Sequence, residues 1–329
     1  MRCIASFCER RWPSYLNPHP QMACLALAIV LACRCCQAQD LPSGSARISA
    51  PFGDSEIVIT TTARLAGAID SLTWNGQEFI NSHDHGRQLQ SASNFDAGSA
   101  FSGETFNPTE AGSRKDGAGP TSTSRLLHML VKDRLLQTTT QMAFWLSPDE
   151  KSSGHPAKNR TILSNHLLTK RVVIGHQNFP NVIRYDVTFS VPVGEHHTYA
   201  QFEALTGYMP SNFSDFFCFD PSDGTLNPVT DGPGEQSLPL IFSTPSGSHA
   251  MGVYSAQQPS PGYKQAGYGR FRFRAARVVK WNCVFRVRNR VDGIEPADYS
   301  YRVFVIVGNK PTVRSTMARL IRTESESQK

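Results

Sequence analysis

The 329-residue chain carries 33 Lys and Arg against 27 Asp and Glu, and only 18% of its residues are charged. That length suffices for one large domain or two small ones with a proper core. So small a positive balance does not suggest a nucleic-acid binder, whose footprint is a dense basic face, and beyond the leader no apolar run of about 18 residues is present to form a membrane helix.

The first 38 residues read as a leader. Arg2, Arg10 and Arg11 precede the apolar run "MACLALAIVLAC" at 22–33. At about 1.5 Å per residue such a run is short for a bilayer, so a cleaved export signal is expected, cut after Ala38 in "CQA". An alternative is "VLAC", which resembles a bacterial lipobox and would make Cys33 a lipid-carrying first residue. Either way the mature chain would be periplasmic or extracellular. Removal of the leader's four Arg and one Glu lowers the net charge from +6 to +3. Six of the eight cysteines also lie in the leader. The remaining two, Cys218 and Cys283, can form one disulfide or stay as two free thiols.

Residues 39–54 read as a polar linker. Strand character begins with the β-branched "EIVITTT" at 56–62. Residues 68–80 read as a hairpin turning at Asn75–Gly76, a pair that supplies the positive φ angles of a tight turn. Residues 91–124 hold few aliphatic side chains and read as a long functional or disordered loop. Strands are expected again at 135–146, 161–175 and 181–192. In the last of these Ile183, Tyr185, Val187, Phe189 and Val191 share one face, the period-two pattern of a half-buried antiparallel strand. A strand at 197–208 is followed by an aromatic loop at 212–221 and a turn at 231–236. Strands follow at 238–244, 249–256 and 299–308, and 270–291 alternates almost throughout. The one convincing helix is 311–322, with Pro near its start, and 324–329 reads as a frayed tail. No repeat, βαβ alternation or Gly-rich phosphate loop is visible, and no cofactor is implied. The expected fold is all-β: a large antiparallel β-sandwich, one domain over 55–323, with one short C-terminal helix.

Chemistry concentrates at a few places. In "SHDHGRQ", His85 with Arg87 can serve proton transfer and anion stabilisation, or Asp84 and Gly86 simply make a turn. His83 and His85 point the same way on an extended chain, but a metal would need a third ligand from His128, His166 or Glu203, and no spacing selects one. No metal site is therefore assigned. Glu104, Asn107, Glu110 and Arg114 lie in a stretch with little reason to pack a core, which makes a substrate loop or a solvated excursion. On the 197–208 strand Tyr199, Gln201 and Glu203 share a polar face, with Tyr208 further along. Adjacent His196 and His197 point oppositely and cannot act as a pair. Glu235 and Gln236 follow a Pro-Gly turn near the aromatic loop, and Trp281 is a further aromatic candidate. Aromatic faces beside carboxylates and amides suit a carbohydrate, since rings stack on C–H faces and polar groups read hydroxyls. Arg270, Arg272 and Arg274 with Arg286, Arg288 and Arg290 would share one basic face if their strands pair, or line a solvated sheet.

The segment "GAIDSLTWNGQEFINSHDHGRQLQ" resembles the opening of the galactose-mutarotase-like supersandwich proteins, through Ile69, Ser71, Leu72, Trp74, Gly76, Glu78 and then Arg87. The resemblance implies a carbohydrate-active or carbohydrate-binding β-sandwich, of lyase, epimerase or glycoside-hydrolase type. Histidine-bearing motifs usual in the mutarotase members are not readable here, which turns expectation away from plain mutarotation. The lyase-like members neutralise a uronate carboxylate and abstract its C5 proton. If the chain is an enzyme, His85 is expected to transfer the proton, Arg87 to stabilise the anion, and Glu203 or Glu235 to supply the carboxylate. Glu104, Asn107, Glu110, Arg114, Gln236, Tyr208 and Trp281 are then the candidate sugar contacts. The rival expectation is a non-catalytic sugar-binding or envelope module.

Overall fold

The computed structural model describes residues 41–327; the expected leader, with its cut after Ala38 or lipid site at Cys33, lies outside these described residues. The chain begins with β1 (Ala46–Phe52), β2 (Ser55–Thr61), β3 (Ile69–Trp74), β4 (Gln77–Glu78), β5 (Leu89–Phe95), β6 (Pro108–Thr109) and β7 (Arg125–Lys132). Then come β8 (Leu135–Phe144), β9 (Lys151–Ser152), β10 (His155–Pro156), β11 (Leu163–His176), β12 (Phe179–Ser190), β13 (Tyr199–Pro210) and β14 (Asp215–Phe219). The last elements are β15 (Leu226–Pro228), β16 (Gly234–Gln236), β17 (Leu240–Ser243), β18 (Ala250–Tyr254), β19 (Tyr268–Phe273), β20 (Val278–Arg288), β21 (Asp298–Gly308) and helix α1 (Lys310–Glu326).

All pairings are antiparallel, and they trace two runs. One is β1-β2-β3-β5-β13-β20-β19-β16. The other is β7-β8-β11-β12-β21-β18-β17-β14-β15. Short β6 bridges them, pairing with both β5 and β8. The fold is thus the expected large antiparallel sandwich, and its main core holds side chains from both runs, among them Ile59, Leu72, Phe202 and Trp281 from the first and Leu168, Tyr185, Phe189 and Val305 from the second. Period two is the reason. On β12 Ile183, Tyr185, Val187 and Phe189 are buried while Arg184, Asp186, Thr188 and Ser190 are half-exposed, so one face meets the core and the other water. Asn75 and Gly76 take φ of 49° and 72° in the β3–β4 hairpin, the left-handed pair a two-residue turn requires.

Helix α1 closes one end. Asn309 caps it, its side chain accepting from Thr312 N at 2.9 Å. Val313, Thr316, Met317, Leu320 and Glu324 form its buried stripe. It lies so close to β18 that a Cβ on Gly252 would stand 2.7 Å from Met317 Cε. Among the described residues no helix is long and apolar enough to cross a membrane.

Several boundaries differ from expectation. The stretch read as linker contains β1, a full partner of β2. The stretch read as loop at 91–124 holds most of β5 and all of β6. Between the core residues Leu89 and Phe95 its interior-facing positions are the small, polar Ser91 and Ser93, so the aliphatic alternation that betrays a strand is interrupted. Likewise β7 precedes the expected restart at 135. The aromatic "loop" contains β14, where Phe216 is core, stacked on Phe242 at 3.9 Å. The tail is helical through Glu326, because Glu324 is held by His176 Nε2 at 2.9 Å. Finally, Cys218 and Cys283 are both free thiols.

Candidate functional site

A concave polar face spans β5, β13, β20, β19 and β16, and one irregularity shapes it. Strand β13 pairs regularly with β20 up to Glu203↔Val284, then shifts by one residue and resumes at Leu205↔Cys283. A bulge of this kind moves every later side chain to the other face. Gln201 and Glu203 are therefore joined on the polar face by Thr206 and Tyr208, opposite Asn282 and Lys280. On the far side β5 sets Ala92 opposite Glu203 and Gln90 opposite Thr206. Beyond β20, Phe271 stands opposite Lys280. Glu235 stands opposite Gly269, whose missing side chain leaves room for the Asn282 amide; a Cβ there would meet Asn282 Oδ1 at 2.3 Å.

At the centre is an ion pair. Glu203 Oε2 accepts from Thr206 Oγ1 at 2.8 Å, Asn282 Nδ2 at 3.3 Å and Lys280 Nζ at 3.4 Å. All three donors reach the same oxygen, and Oε1 has no protein donor among the described residues. The Lys280 ammonium also lies 5.0 Å from the Tyr208 ring centre and 5.3 Å from that of Phe271, an aromatic clamp on a cation. Burial alone would push the Glu203 carboxyl up, but Lys280 and the hydrogen bonds from Thr206 and Asn282 outweigh it and hold the carboxyl below its usual range. Burial works against the Lys280 charge too; Glu203 and Tyr208 outweigh it, and the ammonium is held above its ordinary value. Across neutral pH the pair is a fixed carboxylate and a fixed ammonium.

The sign of the pH effect follows. A carboxyl lowered on folding contributes stability that is complete above its unfolded value, about pH 4.5, and is lost as pH falls through the lower folded value. Glu203→Gln is expected to flatten that part of the acid limb, read as urea midpoints between pH 3 and 6. An acid limb unchanged in the variant would assign the sensitivity to other carboxylates.

Two adjoining hollows share Glu203 and Lys280. One, of about 100 Å³, is lined also by Gln90, Asn94, Glu104, Asn107, Trp145 and Tyr208. The other, of about 400 Å³, is lined also by Gln201, Glu235, Phe271, Asn282 and Arg286. A separate hollow of about 500 Å³ lies by Asp186, Arg302 and Glu324. There Asp186 is already paired with Arg302 at 2.5 Å and Arg184 at 3.1 Å, Gln257 Oε1 accepts from Arg302 N at 2.7 Å, and the Thr188 and Ser300 hydroxyls bond each other at 2.8 Å.

The residues singled out from sequence divide between groove and scaffold. Glu203, Tyr208, Glu104, Asn107 and Glu235 line the hollows. Asn107 Nδ2 donates to Ser93 O at 2.6 Å, and Glu104 Oε2 accepts from Ser152 Oγ at 2.6 Å. Glu235 forms a two-pronged pair with Arg286 at 2.7 and 2.8 Å. Gln236 faces the other side of the sheet and accepts from Arg270 at 2.6 Å.

The rest serve the scaffold. His85 is 1% exposed, with Nδ1 2.7 Å from Gly117 O and Nε2 2.9 Å from Arg64 O, so both ring nitrogens already face backbone carbonyls. Arg87 pairs with Asp84 at 3.1 Å, and Asp84 Oδ1 accepts from Gly86 N at 3.0 Å, the hydrogen-bonded turn that was the plainer reading of "HDHGR". His83, exposed beside it, therefore has no partner imidazole for a metal. Glu110 is fully buried against Lys170. Arg114 bridges to Glu150 at 3.0 Å on the surface. Trp281 is 1% exposed and faces the core. The six-arginine face is split as well: β19 and β20 do pair, but Arg270 stands opposite Trp281, whereas Arg286 shares the face of Lys280 and Asn282. Missed from sequence were the partners that complete the groove, Lys280, Asn282, Thr206, Gln90 and Asn94. The alternation of β20 places Lys280 and Asn282 on one face, and what the sequence does not show is the bulge that turns Thr206 and Tyr208 towards them.

No family model matches the chain, and no curated protein matches it. Among solved structures it is similar to an alpha-galactosidase from Lactobacillus brevis, at 7% identity over 83% of this chain and 40% of that one, TM-score 0.43. It is similar to an alpha-mannosidase from Enterococcus faecalis V583, at 9% identity over 85% and 32%, TM-score 0.47. A galactose mutarotase-like protein from Lactobacillus casei ATCC 334 matches at 9% identity over 80% of this chain and all of that one, TM-score 0.40. The chain thus spans less than half the length of the first two.

Proposed function

We propose that this is an exported carbohydrate-binding protein whose ligand lies across the polar face centred on Glu203 and Lys280. The observation that carries the reading is the convergence of one ion pair, several amides and hydroxyls, and two aromatic rings on a single concave sheet face. Sugar hydroxyls both donate and accept. Glu203 Oε1 offers an acceptor, Gln90, Asn94, Gln201 and Asn282 offer amides, and Tyr208 and Phe271 offer faces for C–H groups. Binding suits the groove better than acid–base chemistry. A general acid must be protonated and a general base must titrate near the working pH, whereas Glu203 is held ionised and Lys280 protonated. The groove cations are matched by carboxylates, Lys280 by Glu203 and Arg286 by Glu235, so neutral oligosaccharides are favoured over uronic-acid polymers.

The test is a calorimetric screen of neutral oligosaccharides and uronate polymers, with absorbance followed for unsaturated product. Saturable binding of a neutral oligosaccharide is expected, and Tyr208→Ala should weaken it about tenfold, the equivalent of 1.4 kcal/mol. Arg87→Ala, which alters only the Asp84 turn, should leave binding unchanged. Product release from a uronate polymer would overturn the binding reading in favour of a lyase. No saturable binding up to millimolar sugar would end the carbohydrate reading altogether.

A further inference from the structure

Away from the groove, two histidines from separate segments of the chain meet at one carboxylate oxygen. His166 of β11 and His197, just before β13, both direct Nε2 at Glu195 Oε2, at 2.7 and 2.9 Å. One donor atom from each of the three lies within 4.8 Å of the others. Both imidazoles are almost wholly buried, and Glu195 remains 22% exposed, which leaves a way in. The surroundings are apolar: the Phe95 ring centre is 5.0 Å from that of His166 and 4.5 Å from that of His197, and Phe106 stands 5.2 Å from His197.

A second observation concerns the far side of His197. Its Nδ1 is buried and has no hydrogen-bond partner, yet Asp96 Oδ1 lies 3.8 Å away. Asp96 is itself fixed there by Thr198 Oγ1 at 2.6 Å and Thr198 N at 3.0 Å. A neutral His197 that donates from Nε2 to Glu195 turns a lone pair towards the Asp96 carboxylate. A cation on Nε2 reverses this: the proton then sits on Nδ1 and points at Asp96. An imidazole ligand backed by a carboxylate on its other nitrogen is the usual outer shell of a metal-bound histidine.

We propose that His166, His197 and Glu195 bind one divalent metal ion, zinc by the donor set, with Asp96 orienting His197. Two imidazole nitrogens and one carboxylate oxygen suit zinc, with a fourth position open to water on the exposed side of Glu195. Ligand atoms around a tetrahedral zinc stand about 3.3 Å apart, so each imidazole nitrogen needs to move out from Oε2 by about half an ångström from its present 2.7 or 2.9 Å. Glu195 and Asp96 together balance the double charge. The ion would tie β11 to the start of β13 and to the end of β5, independently of what the groove binds.

The experiment uses the full chain, stripped with chelator and dialysed. Zinc titration by calorimetry is expected to give one equivalent per chain and a raised melting temperature. Cobalt(II) should give the visible bands of a four-coordinate N/O site. His166→Gln and His197→Gln should each weaken zinc at least tenfold, and Asp96→Asn about tenfold. Absence of stoichiometric zinc binding overturns the proposal, as does binding that persists in the His166→Gln/His197→Gln double variant, since the metal would then sit on other histidines. Should the variants fail to fold, the wild-type stoichiometry and cobalt spectrum decide alone: an octahedral cobalt spectrum, or none, sinks the site.

Discussion

Lys170→Met is expected to destabilise the fold by about 3–5 kcal/mol, the loss seen when one member of a buried ion pair is removed and the other stays charged. Lys170 and Glu110 are both fully buried. Lys170 Nζ donates to Glu110 Oε1 and, at 2.7 Å, to Gly67 O. Glu110 Oε2 accepts from Ser91 N at 3.1 Å, and Ser91 Oγ lies 3.1 Å from Tyr185 OH. Burial pushes the Lys170 ammonium below its ordinary value, and Glu110 is the group that works against that push. Methionine keeps the length of the lysine stem but leaves the carboxylate facing Tyr185 without a cation. The pair need not be favourable over an apolar core for this to hold; the cost is that of the orphaned charge. Lys170→Met/Glu110→Gln, which keeps an acceptor for Ser91 N, is therefore expected to recover most of the loss. Urea unfolding of wild type and the two variants measures both numbers. A single-variant loss below about 1 kcal/mol would mean that water reaches Glu110, and the buried-pair account would fail.

The same pair shows why the fold was easier to read than the site. Strands such as β12, β20 and β21 present a core face every second residue, and that period is written in the chain. Strand β5 is not. Its two middle inward residues, Ser91 and Ser93, sit between Leu89 and Phe95 and are small enough to pack, and the hydroxyl of Ser91 is satisfied by Ala204 O at 2.8 Å, so the strand looks like loop until its partner β13 is known. Glu110 sits in similar polar surroundings along the chain, yet its partner lies 60 residues away. Polar residues of a turn and polar residues of a site also look alike in sequence. Asp84, His85 and Arg87 satisfy one another and nearby backbone, whereas Glu203 and Tyr208 reach one hollow only because an extra residue at 204 changes the parity of β13. Bulges carry no signature of their own here. The His166, Glu195 and His197 cluster was out of reach as well: Glu195 and His197 are two apart, but His166, 29 residues before Glu195, joins them only through tertiary packing.

That parity also fixes what Trp281 does, and Trp281→Ala is the variant that separates a core indole from a sugar platform. Trp281 is read from composition as an aromatic contact, but β20 turns it to the face opposite Lys280 and Asn282, and it is 1% exposed. It stands across from Gly207, where a Cβ would come within 2.5 Å of the indole carbon Cε2. The ring therefore packs directly on the bulged strand between Thr206 and Tyr208. Cutting a buried tryptophan to alanine costs about 3–5 kcal/mol, through lost burial and the cavity left behind. The expected result for Trp281→Ala is a loss of that size in urea unfolding. Binding of the sugar should weaken only as far as Tyr208 shifts, since no part of the indole lines the hollows. Trp281→Phe, which refills much of the space, should recover part of the stability. The opposite pattern, full stability with abolished binding, would put the indole against ligand and require β13 and β20 to pair in the register without the bulge, which would also turn Thr206 and Tyr208 away from Lys280.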